Sequence, residues 1–155
     1  YISDYNTGSK RILEIGCGMA LASLLLNKQH ADITATDYHP EAGIFLARNA
    51  LLNEDEPISY KPVAWGDTED GLGLFDLIIG SDLLYEDQHV SLLANFIEGH
   101  SNEECEVIIV DPGRGRKNKL SDRMIELGYS SSQEKPIHTN YLSEEFKGYI
   151  LKFSR

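Results

Sequence analysis

Short β-branched runs alternate with segments of helical period along almost the whole chain, and this alternation restricts the fold more than any other feature. Arg11–Ile15 is an apolar run ending in Gly16-Cys17-Gly18, a strand that enters a tight turn. Leu21, Leu24 and Leu25 then recur at helical spacing, which predicts a helix reaching about Lys28. Ala31–Thr36 reads as a second strand, and Asp37-Tyr38-His39-Pro40 as a turn whose proline enters the next helix. That helix carries Ala42, Phe45, Leu46 and Ala50 on one stripe. Ile58–Ala64 is a third strand, weakened by Pro62, which cannot donate to a ladder. An acidic loop covers 66–73.

Phe75–Gly80 is the most regular strand pattern in the chain, and a helix marked by Val90, Leu93, Ala94 and Ile97 follows it. Glu106–Val110 is a fifth strand, and Leu120, Met124 and Leu127 mark a helix that stops at Gly128. Tyr129–Gln133 and Tyr149–Phe153 close the sheet, antiparallel where they meet. The outline is five strand–helix units and two terminal strands, a doubly wound α/β sheet of seven strands. It is mostly parallel, with an antiparallel strand at its C-terminal end, and right-handed crossovers put helices on both faces in three α/β/α layers.

One domain over residues 1–155 suits this length, and 41% hydrophobic residues suffice for a packed core. With 14 basic against 25 acidic side chains the net charge is −11, which opposes binding to a phosphate backbone and favours a basic partner surface. Two cysteines, Cys17 and Cys105, are too few for a disulfide scaffold, and with five scattered histidines they show no metal-ligand spacing. No run approaches the roughly 20 apolar residues of a membrane span. The N-terminus shows no signal-peptide pattern, so a reduced, cytoplasmic setting is expected.

In open α/β sheets the ligand crevice lies beyond the carboxyl ends of the strands, at the switch in strand order. Five segments converge there: 16–18, 37–39, 64–67, 81–85 and 111–114. The turn Glu14-Ile15-Gly16-Cys17-Gly18-Met19-Ala20 lacks the third glycine of a dinucleotide fingerprint, because Leu21 stands at that position. It fits E-x-G-x-G-x-[GA], and Glu14 would repel a pyrophosphate while suiting a ligand with a cationic amino-acid end. Asp37 ends the second strand, where an acid can accept both hydroxyls of a ribose. Plainer readings stand beside these: a glycine turn made for packing, and an acid placed for a helix dipole. Cys17 makes a poor nucleophile, since the carboxylate of Glu14 disfavours its thiolate.

Together these residues resemble the S-adenosylmethionine site of the class I, seven-β-strand, Rossmann-like methyltransferases, and the likeness runs from Lys10 onward. The resemblance implies that Glu14, Gly16, Cys17 and Gly18 line the methionine part, Asp37 the ribose, and Tyr38 the adenosine flank. It also implies adenine contacts from Ala64, Trp65 and Asp67, with Ser81 at the site's edge. Trp65 reads equally as an apolar anchor at a strand end.

The segment Ser81-Asp82-Leu83-Leu84-Tyr85-Glu86 resembles the D-x-x-Y motif of the family-16 type, which includes protein-lysine methyltransferases. Thr36–Ala42 and Ala64–Asp67 look like that type's segments as well. The resemblance places Asp82 and Tyr85 as catalytic residues beside the methyl donor. The structural readings are an N-cap for Asp82 and a core aromatic for Tyr85, while Arg114 in the Pro-containing turn beyond the fifth strand reads either as shaping the substrate mouth or as a solvated cation. The N-P-P-[YF] segment of nucleic-acid and glutamine amino-methyltransferases has no counterpart at 81–84. Only Tyr1–Ser9 precede the first strand, so the family's N-terminal helical segment is expected to be missing. The resulting expectation is methyl transfer to a protein nitrogen, a lysine above all. The alternatives are a small-molecule methyltransferase of the same fold and a non-catalytic binding module.

Overall fold

The computed structural model describes residues 1–67, 70–137, 139 and 142–155. Seven strands form one sheet: β1 (Arg11–Ile15), β2 (Asp32–Asp37), β3 (Ser59–Pro62), β4 (Phe75–Ser81), β5 (Ser101–Asp111), β6 (Ser130–Glu134) and β7 (Tyr149–Ser154). Their order is β3-β2-β1-β4-β5-β7-β6. The first five are mutually parallel, and β7 runs antiparallel to both β5 and β6. The chain leaves β1 in one direction toward β2 and β3 and resumes on its other side with β4, so the switch in order lies between β1 and β4.

The helices are α1 (Leu21–Lys28), α2 (Ala42–Leu52), α3 (Asp87–His100) and α4 (Lys117–Glu126). The outline counted five strand–helix units, whereas four helices form among the described residues, and the unit without one follows β3, where the sequence already reads as an acidic loop. Among the described residues, the link from β3 to β4 contains no helix. That link is rich in turn-forming Gly and Asp, with Gly71 and Gly73 at φ +66° and +82°, a backbone that a helix cannot use.

The two faces of the sheet bury different clusters. Leu13, Ile15, Ile78, Val107, Ile109 and Leu151 pack under Leu93, Ile97, Leu120 and Met124 of α3 and α4. On the opposite face, Ile12, Ile33, Leu77, Ile79 and Ile108 meet Leu26 of α1, while Ala35 packs with Ala42, Leu46 and Ala50 of α2. The alternation within β1, β4 and β5 follows from the two-residue period of a strand covered on both sides.

The phase of α1 differs from the sequence expectation. Leu24 and Leu26 are buried, whereas Leu21 is exposed and Leu25 half-exposed. A polar contact sets this rotation: Glu14 in β1 accepts hydrogen bonds from the Ser23 amide (3.0 Å) and from the Ser23 hydroxyl. Ser23 is the third helical residue, so a carboxylate from the preceding strand satisfies one of the unpaired first-turn amides. Strand β3 stops at Pro62 rather than Ala64, on a sheet edge where a missing N–H costs least. Strand β5 begins earlier than expected because Ser101 pairs with Phe75 across a register shift in β4.

Candidate active site

The C-terminal ends of β2, β1 and β4 lie side by side, so the turns leaving them share one rim. After β1 the backbone is left-handed at Gly16 (φ +60°), Gly18 (φ +52°) and Ala20 (φ +56°). Gly16 has no room for a side chain, since a Cβ there would stand 2.6 Å from Leu83 Cδ2. Gly18 is the opposite case: a Cβ would meet nothing within 4 Å, so its backbone borders open space. One glycine is required by packing and the other leaves a cradle free.

Asp37 closes this cradle. Its Oδ2 accepts from the Gly18 amide (2.8 Å) and its Oδ1 from the His39 amide (2.7 Å), leaving lone pairs for further donors. Cys17 N–H donates to the Thr36 carbonyl (2.9 Å), tying the same turn to β2. Cys17 is buried, and burial together with Glu14 and Asp37 pushes its thiol up to about 12. This leaves it protonated and unreactive at neutral pH. Glu14 is also buried, its carboxyl raised above the ordinary range by desolvation, with only the Ser23 bonds opposing this. It acts on the cradle by holding α1 beneath the turn.

The turn after β3 joins through Val63 N–H, which donates to the Asp37 carbonyl (3.0 Å). Beyond it the Asp67 carboxylate accepts from Ala64 N–H (2.9 Å), and Asp67 N–H returns a bond to the Ala64 carbonyl (3.0 Å). Trp65 is half-buried against the α3 side of the core, with the His89 ring edge-on at 5.6 Å. Tyr38 is exposed.

On the other flank of β1, Ser81 ends β4 and Asp82 follows at φ +57°, an uncommon conformation for a residue with a side chain. Its amide donates to the Val110 carbonyl of β5 (2.8 Å). Asp82 does not cap α3: Glu86 holds that position and makes no side-chain cap bond. Instead Arg114, from the turn after β5, grips Asp82 with two parallel bonds, one of them Nη2 to Oδ2 at 2.7 Å. The guanidinium also lies over the Tyr85 ring, 4.2 Å from its centroid. It holds the Asp82 carboxyl below the usual range. Tyr85 is exposed rather than part of the core.

Thus the five segments named from the sequence do meet, on both sides of the β1 turn. Arg114, read from the sequence as a cation at the substrate mouth or in solvent, is instead paired with Asp82, and Ser23 is a residue to which the sequence assigned no role. Arg114 was legible as a cation in a Pro-Gly-Arg turn beyond β5, but its pairing with Asp82 depends on two strands lying in contact. A hollow of about 590 Å³ opens on the face opposite α3 and α4, lined by Tyr5, Val110, Phe146 and Ile150 among others. It borders the site through Val110, whose carbonyl anchors Asp82.

The strand order, the glycine turn with its paired aspartate, and the acidic and aromatic pair across the rim define a Rossmann-like domain of the seven-strand methyltransferase class. The family described as lysine methyltransferase matches residues 2–127, and the chain belongs to it. A protein N-lysine methyltransferase METTL21A from Danio rerio is 28% identical over 106 residues, covering 64% of this chain and 48% of the relative. The chain therefore spans about half the length of that relative. Among solved structures, a ribosomal protein L11 methylase from Lactobacillus delbrueckii subsp. bulgaricus has the same fold at a TM-score of 0.79 and 20% identity. The match covers 99% of this chain and 74% of that one. A magnesium protoporphyrin IX methyltransferase from Synechocystis PCC 6803, solved with bound SAM, has a TM-score of 0.73 at 15% identity, over 99% and 74% of the two chains.

Proposed function

We propose that this chain is an S-adenosylmethionine-dependent methyltransferase domain that methylates a protein nitrogen, the side-chain amine of a lysine. Family membership over residues 2–127 supports methyl transfer. The observation that carries the site assignment is the placing of the Gly18–Asp37 cradle and the Asp82–Tyr85 pair on opposite flanks of one turn.

The residues present fit the donor. Gly18 borders open space, and the Asp37 carboxylate keeps acceptor capacity for the two hydroxyls of a ribose. Gly16, Cys17 and Gly18 supply backbone for the methionine end, with Glu14 setting the turn from below. Tyr38, Ala64, Trp65 and Asp67 flank the base, with Ser81 at the edge toward the acceptor. When bound, S-adenosylmethionine supplies an electrophilic sulfonium methyl group.

At the acceptor end the chemistry requires a neutral amine, since an ammonium has no lone pair and its reference pKa is about 10.4. As the N–C bond forms, the S–C bond breaks, and the surplus proton of the nitrogen leaves to solvent. Asp82 is held ionised and is a weak base, so it works as an acceptor that orients the N–H groups. Tyr85 offers a ring face to the positive charge that develops on nitrogen. Holding nucleophile and methyl group in line supplies much of the acceleration.

The net charge of −11 suits a basic, lysine-presenting protein surface and disfavours nucleic acid. A cytoplasmic setting agrees with two free, buried cysteines, and among the described residues no helix is long and apolar enough to cross a membrane. Calorimetric titration with S-adenosylhomocysteine against NAD tests donor binding. Heat from the first alone is the expected result. Incubation with labelled donor and a cell lysate then tests the acceptor. Label confined to small molecules would refute the protein assignment, and no heat from either ligand would refute the enzyme.

A further inference from the structure

The Asp82–Tyr85 pair is already in contact with a cation, and the cation comes from the chain itself. Arg114 satisfies both carboxylate oxygens of Asp82 and stacks on the Tyr85 ring. A carboxylate with an aromatic face beside it is what a charged amine would bind, so the guanidinium occupies the place proposed for the acceptor. We infer that Arg114 is an internal occupant of the acceptor position, displaced only by an incoming cationic side chain, and that it thereby selects amines over neutral acceptors. This rests on the proposed function above.

Three features fit displacement rather than a fixed support. The side chains of Arg114 and Asp82 are each 37% exposed, so water can take over the guanidinium's bonds when it leaves. Arg114 stands between Gly113 (φ +103°) and Gly115 (φ +82°), two residues free to change backbone conformation on either side of it. The ends of that short turn are fixed independently. Gly113 N–H donates to Asp111 Oδ2 (3.1 Å), and Arg116 pairs with Asp87 (2.9 Å) at the start of α3. The arginine can therefore swing while β5 and α4 stay in place. Once it leaves, Asp82 keeps its charge, is met by water, and favours another cation over a neutral group. A lysine side chain brings one by arriving as the ammonium, which loses a proton to solvent before it attacks, whereas a hydroxyl or an amide does not.

Competition of this kind lowers the apparent affinity for the acceptor by the fraction of time the position is free. The test uses the full chain saturated with S-adenosylhomocysteine and a short acetyl-Gly-Lys-Gly-amide peptide, with acetyl-Gly-Gln-Gly-amide as the neutral probe. Nitrogen NMR of the arginine side chains follows Arg114 Nε–H, and carbon NMR follows the Asp82 carboxylate. The lysine peptide is expected to move the Arg114 signal to that of an unpaired arginine, and the glutamine peptide to leave it unchanged. Arg114→Gln should bind the lysine peptide at least fivefold more tightly than wild type, with Arg114→Lys between the two. The inference is overturned if the lysine peptide binds while Arg114 keeps its bonds, if it fails to bind at all, or if Arg114→Gln binds no tighter. Should Arg114→Gln fail to fold, displacement in the wild-type protein decides alone. Donor titration and label transfer remain separate readouts, so failure of the methyltransferase reading is distinguishable from failure of this one.

Discussion

Gly16 and Gly18 share a left-handed backbone but differ in surroundings, so replacing each with alanine separates packing from cradle. At Gly16 the new methyl stands 2.6 Å from Leu83 Cδ2 and the backbone is at φ +60°. The left-handed conformation costs about 1–2 kcal/mol for a residue with Cβ. Overpacking against a buried leucine adds about 1–3 kcal/mol, so Gly16→Ala should lose roughly 2–5 kcal/mol of stability. At Gly18 only the conformational cost applies, about 1–2 kcal/mol, because nothing lies within 4 Å. The Gly18 methyl instead projects into the proposed donor space and should weaken S-adenosylhomocysteine binding about tenfold or more, which is ~1.4 kcal/mol. Urea denaturation gives the stabilities and calorimetry the affinities. A Gly16→Ala, Leu83→Ala double variant adds a check. Leu83→Ala alone should cost about 2–5 kcal/mol, and the double variant should fall short of the sum by about 1–3 kcal/mol once the collision is gone. Equal losses at the two glycines, or strict additivity in the double variant, would refute the reasoning.

Asp37→Ala should weaken S-adenosylhomocysteine binding by about 1.5–3 kcal/mol, roughly 10- to 150-fold by calorimetry, since ribose hydroxyls lose a charged acceptor; an unchanged constant would remove Asp37 from the site. Asp82→Ala should spare donor affinity and reduce turnover about 10²-fold in a labelled-methyl assay, because the acceptor loses its orientation; loss of both properties together would point to a structural residue. Glu14 carries a raised carboxyl pKa, so the folded state holds its proton more tightly than the unfolded state does. Stability from this group is present below the ordinary value near 4.5 and falls as pH rises through the raised one. Glu14→Gln keeps an oxygen for Ser23 and removes the buried charge, so melting curves from pH 4 to 8 should show it gaining on wild type, and a constant gap would count against a buried carboxylate.

Most of the sheet was legible because β-branched runs of four to seven residues, such as 75–80, carry their own strand signal. So was the rim, since topology alone sends the ends of β1, β2 and β4 to one side. What the pattern misjudged was the turning of α1. Leu21, Leu24 and Leu25 have good helical spacing, but a buried bond from Glu14 to Ser23, nine residues apart, decides which of them face inward. The acidic run after β3 was legible as a loop from its Gly and Asp, so only the count of five strand–helix units exceeded the four helices found among the described residues. At the candidate site, the positions of Asp37 and Asp82 on one rim could be read, but the partner of Asp82 could not. A residue 32 positions away reaches it only after β4 and β5 have paired.

Strand β7, which follows β6 in the chain, lies second from the sheet's edge, between β5 and β6. Strand β6 therefore leaves the ribosome before the neighbour that completes its hydrogen bonding, and among the described residues β7 is its sole partner. Its sequence, Ser-Ser-Ser-Gln-Glu, is polar enough to wait in water without sticking to other nascent chains. The first five strands in chain order pair without β6 or β7, and β6 joins the sheet only through Tyr149–Ser154.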